Sequence, residues 1–190
     1  MEINEMEIME SRTKRFKSSH KRQTLLRSIS AVVIGVSIVL VLLFGWFSPV
    51  FISDHSMEPT LMSGDTVLFD RIYKYFFRLQ RSDIVVFADR ESGSLIIKRI
   101  VGLSGETVSA KDGVLMIDGE YGLSEYDYLT PMQYSFDPVT VPEGSLFVLS
   151  DDRNYGEDSR NPRIGCISSA EVIGVVRIRL NRFTIFKNEK

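Results

Sequence analysis

The sequence predicts a mainly β protein: an antiparallel β-sheet domain tethered by one N-terminal transmembrane helix. Three observations carry that expectation. One uncharged apolar run, residues 29–47, is long enough to cross a bilayer as a helix. After it, short β-branched and aromatic runs alternate with Gly, Asp and Pro. The remainder of the chain has no helical-period stretch of useful length and no internal repeat.

Residues 1–27 read as a cytoplasmic basic arm. Glu2, Glu5, Glu7 and Glu10 form an acidic tip, and Arg12, Lys14, Arg15, Lys17, Lys21, Arg22 and Arg27 follow it. Residues 28–50 read as the anchor, with ISAVVIGVSIVLVLLFGWF at 29–47 as its apolar body. A cleaved leader is the rival reading, but its apolar region spans about 7–15 residues and ends in a small-x-small site. Here Trp46-Phe47-Ser48-Pro49 follows, so the run is read as uncleaved. Seven Lys and Arg precede the span and none lies between it and Arg71, which puts the arm in the cytoplasm and the remainder outside. Trp46 and Phe47 are expected at the outer interface, with Pro49 helping to end the helix.

Residues 51–190 read as an extracytoplasmic β-rich domain. Strands are predicted at 66–70, 83–89, 94–103, 107–110, 114–118, 145–150, 171–180 and 183–186. Asp112-Gly113 and Asp118-Gly119 bracket one of them as turn dipeptides, the signature of an antiparallel meander. RIYKYFFRLQR at 71–81 sets Tyr73, Tyr75, Phe76 and Phe77 among Arg71, Lys74, Arg78 and Arg81. That composition suits either a lipid headgroup layer or aromatics entering the core.

A net charge of −2 gives no reason to expect a nucleic acid partner. One cysteine, Cys166, permits no internal disulfide and reads as a small buried apolar side chain. With two histidines and one cysteine, no metal site and no cofactor is expected. The candidate for chemistry is Ser56, in FISDHSMEPTL just after the span. A serine hydroxyl needs a base. His20 lies across the proposed membrane, and His55, as the neighbour of Ser56 on an extended strand, would point to the opposite face. Lysine remains, and it serves as a base only where a water-poor setting lowers its pKa. Lys98, among Leu95, Ile96, Ile97, Ile100 and Val101, has the most apolar setting of any lysine outside the anchor. A lysine snorkelling from an edge strand is the plainer alternative.

Four segments in order then resemble one family. Ser56-Met57-Glu58-Pro59-Thr60-Leu61 is similar to the S-M-x-P-T-L box of bacterial type I signal peptidases, and GDTVLFD (64–70) resembles their next box. RSDIVVF (81–87) with IIKRIVGLSGE (96–106) resembles the box that carries the catalytic lysine, and SDDRNYGEDSR (150–160) resembles G-D-N-R-x-N-S-x-D-S-R. Together they span 56–160.

The resemblance implies a Ser-Lys serine endopeptidase that removes signal peptides, with Ser56 as nucleophile and Lys98 as general base. It gives Met57 and Pro59 the shaping of the nucleophile's turn, and Arg99, Asp151, Arg153, Asp158, Ser159 and Arg160 the support of the site. The backbone N–H of Ser56 is the expected oxyanion donor, with the Ser53 hydroxyl as a second. The implied partners are preproteins with Ala-x-Ala-type signal peptides and the lipid bilayer, and shallow substrate pockets are expected from segments near 52–57 and 83–101. Three positions differ from the pattern: Asp54 stands where some members have an oxyanion-donating serine, Ser150 replaces a glycine, and Gly156 replaces a serine that bonds the lysine. The orienting contact to Lys98 is then either missing or supplied by Ser159 or by water. The alternative from another class is a catalytically idle relative that binds or chaperones exported or pilus subunits.

Overall fold

The computed structural model describes residue 9 and residues 26–41, 45–121, 132–133, 135–155, 157–181 and 184–186. The basic arm at 10–25 and Gly156 lie outside the described residues. The chain divides into two units, Met1–Gly45 and Trp46–Lys190.

In the first unit, residues 26–41 form a helix, α1, with every residue exposed. Among the described residues no helix is long and apolar enough to cross a membrane. The predicted end of the span differs: residues 47–50, assigned by sequence to the anchor at 28–50, belong to strand β1, Phe47–Phe51. The physical reason is pairing, since all five residues are antiparallel to Thr66–Asp70, strand β2. Pro49 therefore sits in an edge strand, where its missing N–H is tolerated, rather than ending a helix.

The second unit contains β3 (Ile84–Ala88), β4 (Leu95–Gly102), β5 (Thr107–Lys111), β6 (Val114–Ile117), β7 (Glu120–Tyr121), β8 (Phe136–Thr140), β9 (Ser145–Leu149), β10 (Ile167–Ser168), β11 (Val172–Arg179) and β12 (Thr184–Ile185). The larger sheet runs β1-β2-β11-β3-β4-β9-β10 with β12 on β11, the smaller β7-β6-β5-β8, and every pair is antiparallel. All eight predicted strands are present. The short strands β7, β8 and β10 carry too little alternating apolar pattern to be read from sequence, with burial patterns such as ieeee over β8.

Both Asp-Gly dipeptides turn as expected. Asp112 and Gly113 have φ of 52° and 80°, and Asp118 and Gly119 have 53° and 81°, the left-handed pair that a two-residue hairpin requires. The central strand β4 is buried over its last six residues because sheet neighbours and three apolar clusters cover both faces. That burial places Lys98 and Arg99, one after the other, out of water.

The 71–81 segment divides between its two readings. Tyr73–Phe76 makes a one-turn helix, α2. Tyr73 packs partly into the core under the Arg177 guanidinium at 3.9 Å, whereas Tyr75, Phe76 and Phe77 stay mostly exposed. Cys166 is partly rather than fully buried, and burial pushes its thiol pKa up.

Close contact between β11 and β2 depends on Gly174. A Cβ there would meet the Asp70 carbonyl oxygen at 2.6 Å and Phe69 Cδ2 at 2.5 Å. Because one obstacle is backbone, Gly174→Ala is expected to destabilise the domain by about 1–3 kcal/mol, read as a lower midpoint in urea unfolding.

Candidate active site

Ser56 lies in the loop between β1 and β2. The loop is closed at its base by Ile52 N donating to Asp65 O at 2.9 Å and Gly64 N to Ile52 O at 2.9 Å. Within it, Glu58 N donates to His55 O and Leu61 N to Met57 O, so residues 55–61 turn rather than extend. Met57 and Leu61 fill the apolar cluster of Ile52, Val67, Phe69, Ile84, Val86, Ile97 and Val176, which holds the turn down. Pro59 lies in the same turn, exposed. Because residues 55–61 turn, strand alternation does not separate His55 from Ser56. His55 Nδ1 is 2.7 Å from Glu58 Oε1 at the exposed surface, so its ring is engaged away from Ser56.

Lys98 reaches Ser56 from β4, where its backbone partner across the ladder is Val85 of β3. Its Nζ lies 2.7 Å from Ser56 Oγ as the donor, and each residue is 1% exposed. Burial pushes the Lys98 pKa below its ordinary 10.5, against the opposing pull of Asp54, Asp158, Asp151 and Glu157. A lysine poised this way exchanges protons with a hydroxyl that an exposed ammonium would leave untouched.

The supporting residues come together around that pair. Arg99 turns to Asp151, with Nε to Oδ1 at 2.7 Å and Nη2 to Oδ2 at 2.6 Å, both side chains buried. Its Nη1 donates to Ser82 O at 2.9 Å, and Nη2 also donates to Thr60 Oγ1 at 3.3 Å. Asp158 accepts from Ser150 N at 3.0 Å and grips Arg160, with Nε to Oδ1 at 2.7 Å and Nη2 to Oδ2 at 2.6 Å. Arg160 also donates to the carbonyls of Arg153 and Tyr155, and Arg153 Nη1 donates to Ser150 O. Ser150, Asp151, Arg153, Asp158 and Ser159, all buried, thus form a polar knot. The knot meets the nucleophile's turn through Asp152 N, which donates to Ser56 O at 3.0 Å.

Two site expectations change. Ser159 does not orient Lys98: its Oγ accepts from Val148 N at 2.9 Å, because the residue is stitched to β9. The Ser56 N–H, expected to be open for an oxyanion, donates to Asp54 Oδ1 at 3.0 Å, and Ser56 Oγ donates to the same oxygen at 2.8 Å. Ser53 is exposed beside it. Thr60 was not singled out, although it is the threonine of the S-M-x-P-T-L box. Its hydroxyl takes Arg99 and its carbonyl takes Arg179 Nη1 at 2.8 Å, linking the loop to β11. Among the described residues no cluster of three or more His, Cys, Asp or Glu is arranged to hold a metal.

A serine hydroxyl held in a loop thus lies against the amine of a lysine on the antiparallel sheet, both out of water. The chain belongs to the signal peptidase, peptidase S26, family, whose model matches residues 25–181, and it is a serine endopeptidase. It is 34% identical over 169 residues to signal peptidase I of Bacillus licheniformis, covering 83% of this chain and 89% of that one. To signal peptidase I T of Bacillus subtilis (strain 168) it is 31% identical over 179 residues, 90% of this chain and 92% of the other. A solved signal peptidase I from Enterococcus faecalis V583 is 33% identical with a TM-score of 0.45, covering 52% of this chain and 97% of that one.

Proposed function

We propose that this chain is a membrane-anchored endopeptidase that cleaves N-terminal signal peptides from exported preproteins, with Ser56 as nucleophile and Lys98 as general base. The observation that carries this reading is the 2.7 Å contact between Lys98 Nζ and Ser56 Oγ, both out of water. In its neutral form Lys98 accepts the Ser56 proton as Oγ attacks the scissile carbonyl. The resulting ammonium gives the proton to the leaving amine, leaving an ester on Ser56. Lys98 then takes a proton from water, whose oxygen attacks the ester, and the ammonium returns that proton to Ser56 Oγ as the signal peptide leaves. The oxyanion is held by the Ser56 N–H, with the Ser53 hydroxyl as second donor. Met57 and Pro59 shape the turn, and Arg99, Asp151, Arg153, Asp158, Ser159 and Arg160 keep the loops in register.

Substrates end in small residues at the first and third positions before the cut, as in Ala-x-Ala. Ile52, Ile84, Val86 and Ile97, which cluster with Met57, belong to the segments expected to shape those pockets. The apolar run ahead of β1, residues 29–46, is the anchor, with the arm cytoplasmic and the β domain outside. The exposed Tyr75, Phe76 and Phe77 beside Lys74 and Arg78 suit contact with lipid headgroups.

The test is reconstitution of the full chain in lipid with a preprotein. A single cut after a small-x-small site, absent with Ser56→Ala, is the expected result. No cleavage by the unmodified protein, or equal cleavage by Ser56→Ala, overturns the reading.

A further inference from the structure

The carboxylate of Asp54 occupies the two groups that the reaction needs free. One oxygen, Oδ1, accepts from both Ser56 N at 3.0 Å and Ser56 Oγ at 2.8 Å. The N–H is the donor an oxyanion requires, and the hydroxyl hydrogen is the proton Lys98 must receive. Neither can be directed to its catalytic partner while it points at Asp54. The proton order is also the reverse of the one attack requires, since Lys98 Nζ donates to Ser56 Oγ while that oxygen donates to Asp54. A carboxylate has no hydrogen to offer an oxyanion, and its charge opposes the one that develops.

Resting on the assignment of Ser56 and Lys98, we propose that Asp54 is a substrate-displaced gate: its carboxylate caps the nucleophile in the free enzyme and swings out when the scissile peptide enters.

Asp54 is free to move. It lies in a bend outside any strand and is exposed, whereas the residues on either side of the turn, Ile52 and Ser56, are buried. The other carboxylates that act on Lys98 are tied to arginines: Asp151 to Arg99, Asp158 to Arg160, and Glu157 to Arg163 at 2.6 Å. The hydrogen bonds of Asp54 go to Ser56. His55 and Glu58, the remaining titratable groups of the turn, are paired with each other. Departure of Asp54 does three things together. It opens the N–H to the carbonyl oxygen, turns the hydroxyl proton toward Lys98, and removes the largest influence holding the Lys98 proton in place. The lysine's surplus proton leaves to solvent, and the amine then accepts the one from Ser56.

The experiment measures kcat/KM against pH for the full chain in lipid, with a preprotein that has a single cut site, for the unmodified enzyme, Asp54→Ala and Asp54→Asn. Both variants remove the charge, so the rising limb is expected to move to lower pH by about one unit. Asp54→Ala also removes the cap, so its high-pH plateau is expected to rise about tenfold, the scale of a lost charge-assisted hydrogen bond. Asn keeps the shape and an acceptor, so its plateau is expected to rise less. A plateau that is unchanged or lower in Asp54→Ala, or a limb unmoved in Asp54→Asn, overturns the gate. If Ser56→Ala cuts as fast as the unmodified enzyme, the assignment of the nucleophile has failed instead.

Discussion

Lys98→Met is expected to reduce cleavage by on the order of 10⁴-fold or more while the domain stays folded and becomes more stable at neutral pH. Both effects follow from burial. The side chain is 1% exposed, its ammonium's one described hydrogen bond is to Ser56 Oγ, and methionine fills nearly the same volume without a charge to desolvate. Activity in the unmodified enzyme should rise with loss of a proton from a group below 10.5, the ordinary lysine value. A rise governed by a group near pH 6.5 would point to a histidine and sink the lysine assignment.

Stability should follow the same proton with a definite sign. The folded-state pKa of Lys98 is depressed, so between that value and 10.5 the unfolded chain binds a proton the folded chain does not. Stability contributed by this site therefore rises with pH through that window, and the penalty is complete below it. Urea midpoints of the unmodified protein and Lys98→Met should converge as pH increases. A constant difference across the window would show that the lysine is not titrating in the folded state.

Asp151→Ala is expected to destabilise the domain by about 3–5 kcal/mol, the cost of leaving a buried guanidinium without its carboxylate. Arg99 is 2% exposed, and Asp151 supplies both oxygens of its fork. The same arginine reaches Thr60 and Ser82, so the loss also loosens the nucleophile's turn and the start of β3. Activity should fall even at temperatures where the variant is folded. The double variant Arg99→Met, Asp151→Leu should recover stability, because an apolar pair of similar volume removes both charges. It should not recover activity. Recovery of both would mean that the pair serves the fold alone, and near-native stability of Asp151→Ala would show that the guanidinium finds water.

Much of the architecture is legible along the chain because strands announce themselves by period and turns by composition. The eight predicted runs alternate or pack as apolar strings, and each Asp-Gly pair carries the two left-handed residues of its hairpin. The misses have the opposite character. β8 is largely exposed, β7 and β10 are two residues long, and β1 shares its first residue with an apolar run whose pattern reads as helix. Phe47 becomes strand only because β2 is there to pair with it, a partner fifteen or more residues away that no local window contains.

The site divides along the same line. Sequence alone singled out the candidate groups: Ser56, a lysine in the most apolar strand, and a polar segment at 150–160 that composition would otherwise leave as a solvated loop. Tertiary structure alone decided who meets whom. It joined Ser56 to Lys98 across forty-two positions, tied Arg99 to Asp151, gave Ser159 to β9 instead of Lys98, and set Asp54 on the nucleophile. Side-chain type fixes what a group can donate, accept or titrate, and that is written locally. Hydrogen-bond partners are fixed by distances of a few ångströms between segments remote in the chain, and only the packed sheet sets those.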